Sequence, residues 1–523
     1  MPVGRQIIGG REYVYEYKNI WNKEKKRSEQ KRQYIGRIIN GEFVPNKAYL
    51  LRGINDKQAK GVAKGGSISE VGSRRVFVGA TYILDQIGEL NGIAADLRAT
   101  FPYFYREIQS LAYYLALEPN SPMYRFSRWA KFHEHPYGKD LASQRISELL
   151  PRITEDAKNA FFKLQSKRRA ETEYLFYDST SISSYSEGLK QVKYGRNKDN
   201  DDLAQINLAM LFGHKSGLPV YYRKRPGNIT DVMTIEHLLS DITHLDLQKV
   251  CLVMDRGFYS EKNVKALLAR NHKFIIAAKI SLKRVQEQLD KKRNEFNHRK
   301  NYHSGSGLFM ITEKVNWSGS KASLSTDKQG VYMHIYYNAQ LATDQEMRFN
   351  KKLDTLEESI NDKKNRSKKK QISKYFERDE STENIRPNQM EIDKAMKNFG
   401  YFVFLSNDIS DPAEALRLYR AKDMIEKAFS DLKGRLNMRR TSVSSEENLE
   451  GRLFLQFVAL IYLSHVKHAM DQANLFKKYT MQELFDELDV IEKYESPGLP
   501  VYYGEITEKQ KELYAAIGFN PPA

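Results

Sequence analysis

The feature that most constrains the fold is an ordered series of strand and helix patterns that begins at Tyr174. Three apolar, strand-like runs come first, "YLFYDST", "QINLAMLFG" and "GLPVYYRKRPGN", and the helical pattern "MTIEHLLSDITHL" follows them. The chain continues with the strand pattern "KVCLVMD", a helix over residues 260–270 and the strand pattern "KFIIAAKI". Each run has the length and the apolar spacing of its type. Strands joined by helices predict an α/β domain built on one sheet.

The order of three strands, helix, strand, helix and strand is that of a ribonuclease-H-like core. We expect residues 171–282 and 396–470 to form this core together, because the strand pattern "GYFVFLSND" and a long helix beginning near Pro412 come only after an interruption. The interruption, residues 283–395, contains "GLFMITEKVNW" and "GVYMHIYYNA" between highly charged runs, and it predicts an inserted β-rich subdomain. The charged runs fit either solvated helix faces or direct contacts with DNA.

The chain before and after this core has a different character. In residues 1–75, the alternation of "REYVYEY" and "RQYIGRI" predicts a basic β element, and the Gly-, Lys- and Ser-rich residues 55–75 predict a linker or a flexible DNA-tracking arm. Helical spacing over residues 76–170 predicts a helical N-terminal domain, and we expect this domain to bind DNA. Residues 471–523 are expected to be an accessory segment that supports dimerisation.

Charge and cysteine content narrow the class of protein. The chain has 84 Lys and Arg against 66 Asp and Glu, a net charge of +18, which favours a polyanionic partner such as nucleic acid, a ribosome or an anionic membrane. One cysteine, Cys251, excludes a disulfide framework and a Cys-rich zinc site, and its apolar surroundings predict a buried thiol.

The longest apolar run, "LFLQFVALIYL", is too short for a membrane span and is interrupted by Gln456. The N-terminus lacks the apolar core of a signal peptide, so we expect a cytoplasmic protein with no membrane partner.

Two of the predicted strands end in an aspartate. Asp178 follows the run Tyr174–Tyr177, and Asp255 follows "KVCLVM". A single aspartate at such a place is usually a turn residue. Two on strands that are neighbours in this topology favour a functional site. Gly257 permits close approach of the backbone, and Ser260 is expected to cap the helix that follows.

A third acid lies on the predicted helix "LYRAKDMIEKAFSDLKGRL". At about 100° per residue, Tyr419, Lys422, Glu426 and Lys433 share a face about 60° wide. The simplest alternative is a ladder of surface ion pairs, which is common on helices. An apolar face formed by residues 425, 428, 429 and 432 lies beside it and favours a strip at the edge of the core, facing a cleft.

Three neighbouring carboxylates would repel one another unless cations lay between them. All-oxygen ligands suit Mg²⁺ or Mn²⁺. Two such ions about 4 Å apart can activate an attacking oxygen and stabilise the leaving oxygen of a phosphodiester. No basic residue stands beside Asp178 in the sequence, so we expect a metal ion to be its partner.

The chain resembles the DDE transposases of bacterial insertion sequences, in the insertion-sequence-four superfamily, whose signature is Y-x2-R-x3-E-x6-K. Here the signature reads Tyr419, Lys422 in the arginine position, Glu426 and Lys433. "YDST", "PGNITD" at 226–231 and "MDRGF" extend the resemblance, which covers roughly residues 170–280 and 395–470. Lysine in the arginine position keeps the charge and loses the bidentate phosphate contact.

The resemblance implies roles for individual residues. Asp178, Asp255 and Glu426 would be the catalytic ligands of two Mg²⁺ ions, for which Mn²⁺ can substitute. Residues that would contact DNA are Tyr419, Lys422, Lys433 and Arg256. Trp317 is a candidate to stack on a flipped base, with core packing as the alternative. Of the other acids, which include Asp199, Asp201, Asp202 and Glu261, the first three fit a polar loop, and Asp231 fits a helix N-cap.

The expected function is that of a cut-and-paste DNA transposase. Such an enzyme would bind the terminal inverted repeats of its own element as double-stranded DNA, cleave there and join the exposed 3′-hydroxyls to target DNA. Because two ends must be paired, a homodimer is expected on DNA. Two alternatives stay open: a DNA-binding descendant without catalysis, and a ribonuclease-H-like nuclease without strand transfer.

Overall fold

The computed structural model describes residues 3–22, 27–39, 42–46, 73–169, 174–186, 188–245, 247, 250–317, 330–360, 369–378, 385–441, 443, 445–496 and 499–523. The chain forms two compact units. The first comprises residues 1–77 and 491–506, and the second comprises residues 78–490 and 507–522. Strands and helices are numbered below in chain order.

The first unit begins with a four-stranded antiparallel sheet. Its strands follow one another in chain order, β1 (Val3–Ile8), β2 (Arg11–Asn22), β3 (Arg27–Ile39) and β4 (Glu42–Pro45). The β2–β3 pair confirms the hairpin that alternation predicts. The expected linker lies almost entirely outside the described residues, which resume just before β5 (Arg74–Phe77).

Six helices follow, as the helical spacing of residues 76–170 predicts. They are α1 (Gly79–Leu90), α2 (Ile93–Thr100), α3 (Tyr105–Leu117), α4 (Phe126–Trp129), α5 (Ser143–Leu149) and α6 (Glu155–Arg169). Their apolar faces are buried, with Ile83, Leu111 and Phe161 among the residues that have no exposed surface. The function of this helical region in DNA binding stays a prediction.

The α/β part of the second unit has the predicted succession of elements. Its members are β6 (Leu175–Ser184), β7 (Gln205–Gly213), β8 (Pro219–Pro226), α7 (Thr234–His244), β9 (Cys251–Met254), α8 (Glu261–Ala269) and β10 (Lys273–Ala278). Ser260 caps α8, since its side chain accepts a hydrogen bond from the Asn263 amide at 3.0 Å. Cys251 is buried, and burial raises the pKa of its thiol, as expected of a structural cysteine.

Residues 283–395 differ from the separate β-rich subdomain that the sequence predicts. They form α9 (Lys283–Lys292), β11 (Tyr302–His303), β12 (Leu308–Asn316), β13 (Gly330–Tyr337), α10 (Ala339–Glu358), α11 (Lys369–Tyr375), β14 (Phe376–Arg378), β15 (Ile385–Pro387) and α12 (Gln389–Met396). Strand β13 pairs with the next core strand along the chain, so the first half of the insertion extends the core sheet. The second half is mainly helical and has its own small core around Leu356, Tyr375, Phe376 and Ile392.

The chain then returns to the core with β16 (Tyr401–Ser406), α13 (Pro412–Arg420), α14 (Asp423–Lys433), β17 (Arg440–Thr441) and α15 (Glu446–Gln472). The strand order of the completed sheet is β11-β12-β13-β16-β10-β9-β6-β7-β8, with β17 pairing alongside β6. Strands β6, β9 and β10 are parallel, whereas β7, β8 and β16 run antiparallel to their neighbours. The carboxyl end of β9 therefore lies beside Tyr177 in β6, and β6 continues beyond it to Ser184.

Helix α15 is the central packing element of the second unit. Its aromatic residues meet the helical region edge to face, with ring centroids 5.2 Å apart for Tyr113 and Tyr462 and 5.4 Å apart for Phe161 and Phe454. By length and composition alone this helix could cross a membrane, yet 78% of its most apolar stretch is buried inside the unit, as in the core helix of a folded domain. At Gly451 a Cβ atom would lie only 2.4 Å from a backbone oxygen, so the close approach of α15 to the 3₁₀ turn at residues 150–152 requires glycine.

The C-terminal segment is divided between the two units, in contrast to the single accessory segment that the sequence predicts. Helix α16 (Met481–Leu488) and helix α17 (Glu508–Ala516) belong to the second unit. Strands β18 (Glu492–Glu495) and β19 (Tyr502–Tyr503) belong to the first, where β18 pairs with β5. A role in dimerisation stays a prediction.

Candidate active site

Asp178 and Asp255 lie side by side on two neighbouring parallel strands, Asp255 directly after the end of β9 and Asp178 within β6, which continues to Ser184. The prediction that Asp178 ends its strand is wrong, because the hydroxyl residues that follow it continue to pair with β7. Tyr177 on β6 pairs with Met254 on β9, so the next residue on each strand is one of the two aspartates. The neighbouring position that topology predicts is therefore observed. Asp178 is buried, with its side chain 10% exposed, whereas the side chain of Asp255 is 45% exposed.

The third acid, Glu426, lies on the second of two helices, where the sequence predicts one long helix. Asp411 begins α13 by accepting hydrogen bonds from the Ala413 and Glu414 amides, at 3.2 and 3.1 Å. Helix α13 ends at Arg420 and α14 starts at Asp423, so Lys422 lies in the turn between them. Because of this turn, the four signature residues do not share one helix face. Tyr419 lies on α13, whereas Glu426 and Lys433 lie on α14.

The ammonium group of Lys422 lies among all three carboxylates. Its Nζ atom is 2.8 Å from Asp178 Oδ2, 3.6 Å from Asp255 Oδ2 and 3.5 Å from Glu426 Oε1. Burial lowers the pKa of Lys422, but the three acids outweigh it and hold the pKa above its ordinary value. The side chain is only 4% exposed. Asp178 therefore has a basic partner, and the expectation that it lacks one is wrong, because the partner comes from a residue distant in sequence.

Tyr419 orients the second aspartate. Its hydroxyl donates a hydrogen bond to Asp255 Oδ1, and its ring stacks on Phe404 with centroids 4.1 Å apart. Burial, together with the charge of Asp255, raises the pKa of Tyr419 far above its ordinary value. The phenol therefore remains a proton donor at neutral pH.

Sequence reasoning missed two residues at this site, Lys198 and Asp231. The Lys198 ammonium lies 3.6 Å from Asp178 Oδ1 and 3.4 Å from Asp231 Oδ2. The Ser179 hydroxyl donates to Asp231 Oδ1 at 2.5 Å. Asp231 thus faces the site and makes no side-chain cap, in contrast to the N-cap role that its position before a helix suggests. The sequence signal that could have identified Asp231 is "PGNITD", which is part of the resemblance.

Lys433 and Arg256 occupy the margins of the site. Lys433 Nζ lies 2.6 Å from Asp199 Oδ2, and burial lowers the pKa of this lysine although Asp199 opposes the shift. Asp199 therefore has a defined ion pair rather than being simply part of a polar loop. Arg256 is exposed in a 3₁₀ turn directly after Asp255, where it can meet a ligand.

Trp317 is buried, which favours the core-packing alternative. Only 2% of its surface is exposed, and the Arg284 guanidinium lies 4.8 Å from the centre of its ring. A base could not stack on this ring without displacing its neighbours.

The three carboxylates form one wall of a cleft of about 2270 Å³. Of the described residues that line it, eleven are lysines or arginines and five are acids. The insertion contributes the basic side chains Arg348, Lys352, Lys374 and Lys394, and Lys397 lies directly after it. The acids are thus concentrated at the end of the sheet, and a wide basic surface faces them.

The donor atoms at this end of the cleft suit a hard divalent cation. Asp178, Asp255 and Glu426 offer only oxygen, which Mg²⁺ and Mn²⁺ prefer. As the side chains stand, no group of three or more His, Cys, Asp or Glu within the described part of the chain is placed to hold a metal ion. The cation at the centre of the acids is the Lys422 ammonium.

Comparison with known proteins places the chain in a family. A family model described as a transposase DDE domain matches residues 169–462, which is more than half of the chain and includes all three acids. The search of curated proteins gives no match. Among solved structures, the cryo-EM structure of the piggyBac transposase synaptic complex with hairpin DNA is similar, at 10% sequence identity, over 84% of this chain and 75% of that one. Its TM-score of 0.35 is too low to establish a shared fold. The match over residues 169–462 shows that the chain belongs to the transposase DDE domain family.

Proposed function

We propose that this protein is a metal-dependent DNA transposase that cleaves the ends of its own element and joins them to target DNA. One observation carries the proposal. Asp178, Asp255 and Glu426 come from three separate elements, and all three lie within 3.6 Å of the Lys422 ammonium. The order β8-β7-β6-β9-β10, with Asp178 on β6 and Asp255 directly after β9, supports a ribonuclease-H-like core. Family membership supports transposition as the reaction class.

Asp178, Asp255 and Glu426 would hold the divalent ions, Mg²⁺ or in its place Mn²⁺. When bound, two such ions supply activation of an attacking oxygen and stabilisation of the leaving oxygen. The Lys422 ammonium must move from the centre of the acids to make room, and its charge is then available to a phosphate. Tyr419 would hold Asp255 in one orientation throughout.

The rest of the cleft would hold the DNA. Arg256 and Lys433 lie beside the acids and can contact the phosphates next to the scissile bond. The basic side chains of the insertion can contact the backbone farther away, where they would release counterions and strengthen binding at low salt. Paired ends require two protomers, so we include a homodimer on DNA in the proposal, with the cytoplasm as its place of action.

One observation favours a second candidate function. Because the Lys422 ammonium already lies among the three acids, where a metal ion would bind, the site could be that of a DNA-binding descendant that no longer takes up metal. Metal-dependent cleavage separates the two candidates.

The test uses a plasmid that carries the DNA flanking the gene, with purified protein and Mg²⁺. Wild type is expected to cut at discrete ends, and Asp255→Asn is expected not to cut. Binding without cleavage by either protein would support the non-catalytic descendant. Equal cutting by both would show that the acids are wrongly assigned, and cutting without any joined product would indicate a nuclease.

A further inference from the structure

The connection between β6 and β7 brings a lysine to the acidic end of the cleft. Serines at alternate positions of β6, Ser179, Ser181 and Ser183, share one face of the strand and are buried. The side-chain amide of Asn197 donates a hydrogen bond to Ser183 Oγ at 3.0 Å, and the backbone amide of Lys198 donates to Ser181 Oγ at 3.2 Å. The connection is therefore fixed along the strand, and the Lys198 side chain extends to the remaining serine.

The Lys198 ammonium is held by two atoms of Ser179. It donates to the Ser179 carbonyl oxygen at 2.6 Å and to Oγ at 2.9 Å. In this position it bridges Asp178 Oδ1, at 3.6 Å, and Asp231 Oδ2, at 3.4 Å. None of these contacts involves Lys422, so Lys198 can stay in place when the Lys422 ammonium moves.

The two oxygens of Asp178 have different partners. Oδ1 accepts a hydrogen bond from the next backbone amide at 2.7 Å and faces Lys198, whereas Oδ2 is bonded to the Lys422 ammonium at 2.8 Å. Asp255 shows the same division, since Tyr419 donates to its Oδ1 and its Oδ2 faces Lys422. In each aspartate one oxygen is held by the protein, and the other faces the centre where a metal ion would bind.

Asp231 is a further carboxylate at this end of the cleft. Its Oδ1 accepts a hydrogen bond from the Ser179 hydroxyl at 2.5 Å, and its Oδ2 faces Lys198. A Cβ atom at position 257 would lie 3.1 Å from Asp231 Oδ2, so Gly257 leaves room for this carboxylate close to Asp255. Both oxygens of Asp231 are thus engaged by the protein, although carboxylate oxygens suit Mg²⁺.

We infer that Lys198 is a positioning residue that restricts the metal centre to three acids. It holds Asp178 so that Oδ2 faces the centre, and it pairs with Asp231 so that this carboxylate does not bind the metal ion. An ammonium suits this task, because it offers three donors and no acceptor and so compensates carboxylates without being a metal ligand. The inference rests on the proposed function, since it takes Asp178, Asp255 and Glu426 as the metal ligands.

The first readout is Mn²⁺ binding by the full-length protein without DNA, measured from the electron paramagnetic resonance signal of the free ion. Lys198→Met removes a positive charge beside two carboxylates and releases Asp231, and both changes favour a bound cation. A unit charge and a divalent ion about 6 Å apart in water interact by an energy that corresponds to roughly tenfold in affinity, so we expect the Kd for Mn²⁺ to fall by about that factor. Lys198→Arg, which keeps the charge, should bind Mn²⁺ as wild type does.

A second substitution shows whether Asp231 is the acid that is released. Lys198→Met/Asp231→Asn should return the Kd for Mn²⁺ to within about threefold of the wild-type value, because the affinity depends on the number of charged ligands. The matched control is Lys198→Met/Asp199→Asn. It removes the same charge from another acid that lines the cleft, whose partner is Lys433 at 2.6 Å. This control should keep most of the gain in affinity.

The second readout is the rate of DNA cleavage with Mg²⁺. Residues that orient metal ligands typically change activity by about 10–100-fold when they are substituted. Lys198→Met should therefore cleave about tenfold more slowly or worse, although it binds Mn²⁺ more tightly, and Lys198→Arg should restore most of the rate. A residue that only supports the fold would lose metal binding and cleavage together.

Three results would overturn the inference. The first is an unchanged or weaker affinity of Lys198→Met for Mn²⁺. The second is an equal reversal by Asp231→Asn and Asp199→Asn, which would mean that net charge alone sets the affinity. The third is weaker binding of duplex DNA in a chelator with Mn²⁺ binding unchanged, which would make Lys198 a DNA contact. Lys198→Gln, which also removes the charge, repeats the test if the methionine variant does not fold.

The same measurements separate this inference from the proposed function. A wild type whose Mn²⁺ affinity responds to these substitutions as expected, but which never cleaves DNA, would refute the proposed function and leave the role of Lys198 in place. A wild type that cleaves, together with a Lys198→Met variant that binds Mn²⁺ as wild type does, would refute the role of Lys198 alone. A wild type that neither binds Mn²⁺ nor cleaves would refute both.

Discussion

Replacing Lys422 by methionine should destabilise the metal-free protein and make it more responsive to divalent ions. Methionine keeps the length of the side chain and removes the ammonium that lies within 3.6 Å of three carboxylates. Removing one partner of a buried ion pair typically costs about 3–5 kcal/mol, because it leaves an uncompensated buried charge.

The expected loss of stability within that range depends on how exposed each acid is to water. The side chain of Asp178 is 10% exposed, while those of Asp255 and Glu426 are 45% and 63% exposed and are screened by water. Asp178 also keeps Lys198 at 3.6 Å. We therefore expect a loss near the lower limit, about 3 kcal/mol in the absence of metal.

The pH dependence follows from the raised pKa of Lys422. A lysine whose pKa is raised in the folded state contributes stability fully below its unfolded pKa and loses that contribution as the pH rises through the folded value. The difference between wild type and Lys422→Met should thus stay constant from about pH 6 to about pH 9, between the ordinary pKa values of carboxyl groups, about 4, and of lysine, about 10.4.

Differential scanning fluorimetry with and without Mg²⁺ measures the effect. The matched control is Lys427→Met on α14, the helix that follows Lys422. Its ion pair with Asp423 at 2.8 Å is 60% exposed on both sides and should be worth less than about 1 kcal/mol. Lys422→Met should melt below both wild type and control without metal and should gain more from Mg²⁺ than wild type does. Equal melting of Lys422→Met and the control in chelator, or an equal gain from Mg²⁺, would refute the reasoning.

Three further predictions concern single contacts. Tyr419→Phe removes the hydroxyl that donates to Asp255, a hydrogen bond to a charged group that is worth about 1.5–3 kcal/mol, so the variant should lower the melting temperature and slow single-turnover cleavage about tenfold. An unchanged rate would contradict the orienting role. Gly451→Ala should lower the melting temperature, because the overpacking costs about 1–3 kcal/mol of stability, whereas alanine in a helix gains only roughly 1 kcal/mol over glycine. A higher melting temperature would contradict the close packing at this position. Burial lowers the pKa of His133, but the hydrogen bond between its ring and Asp489, 2.9 Å long, outweighs burial, so the pKa is raised overall. The pair therefore stabilises the folded protein below about pH 6.5, and this stabilisation is lost as the pH rises through the raised pKa. Asp489→Asn should therefore cost more stability at about pH 6 than at about pH 9 in thermal melts, and equal costs would contradict the shift.

The succession of core elements could be predicted from the sequence because it depends on local patterns. Strand β7 coincides with the apolar run "QINLAMLFG", and Ser260 caps α8 as its residue type suggests. The proximity of Asp178 and Asp255 also followed, since β6 and β9 are parallel neighbours, although Asp178 lies within β6 and not at its end.

Long-range pairing could not be predicted in the same way. The insertion joins the core sheet through β13 and β16, where Tyr332 pairs with Ser406, and no local pattern encodes such a partner. The turn at residues 421–422 has neither glycine nor proline to mark it, so one continuous helix was expected. The position of Lys422 among the acids depends on that turn. Lys198 reaches Asp178 from a loop, which periodicity does not address.

The most direct test of the central claim is strand transfer by precleaved ends. Duplexes that carry an element end with an exposed 3′-hydroxyl would be incubated with a target plasmid, Mg²⁺ and either wild type or Glu426→Gln, and the junctions would be sequenced. The account predicts joined ends with wild type and none with Glu426→Gln, although both proteins bind the duplex. Joining that survives Glu426→Gln, or its absence with a wild type that binds and cuts its ends, would contradict the claim that these three acids form the centre of a transposase.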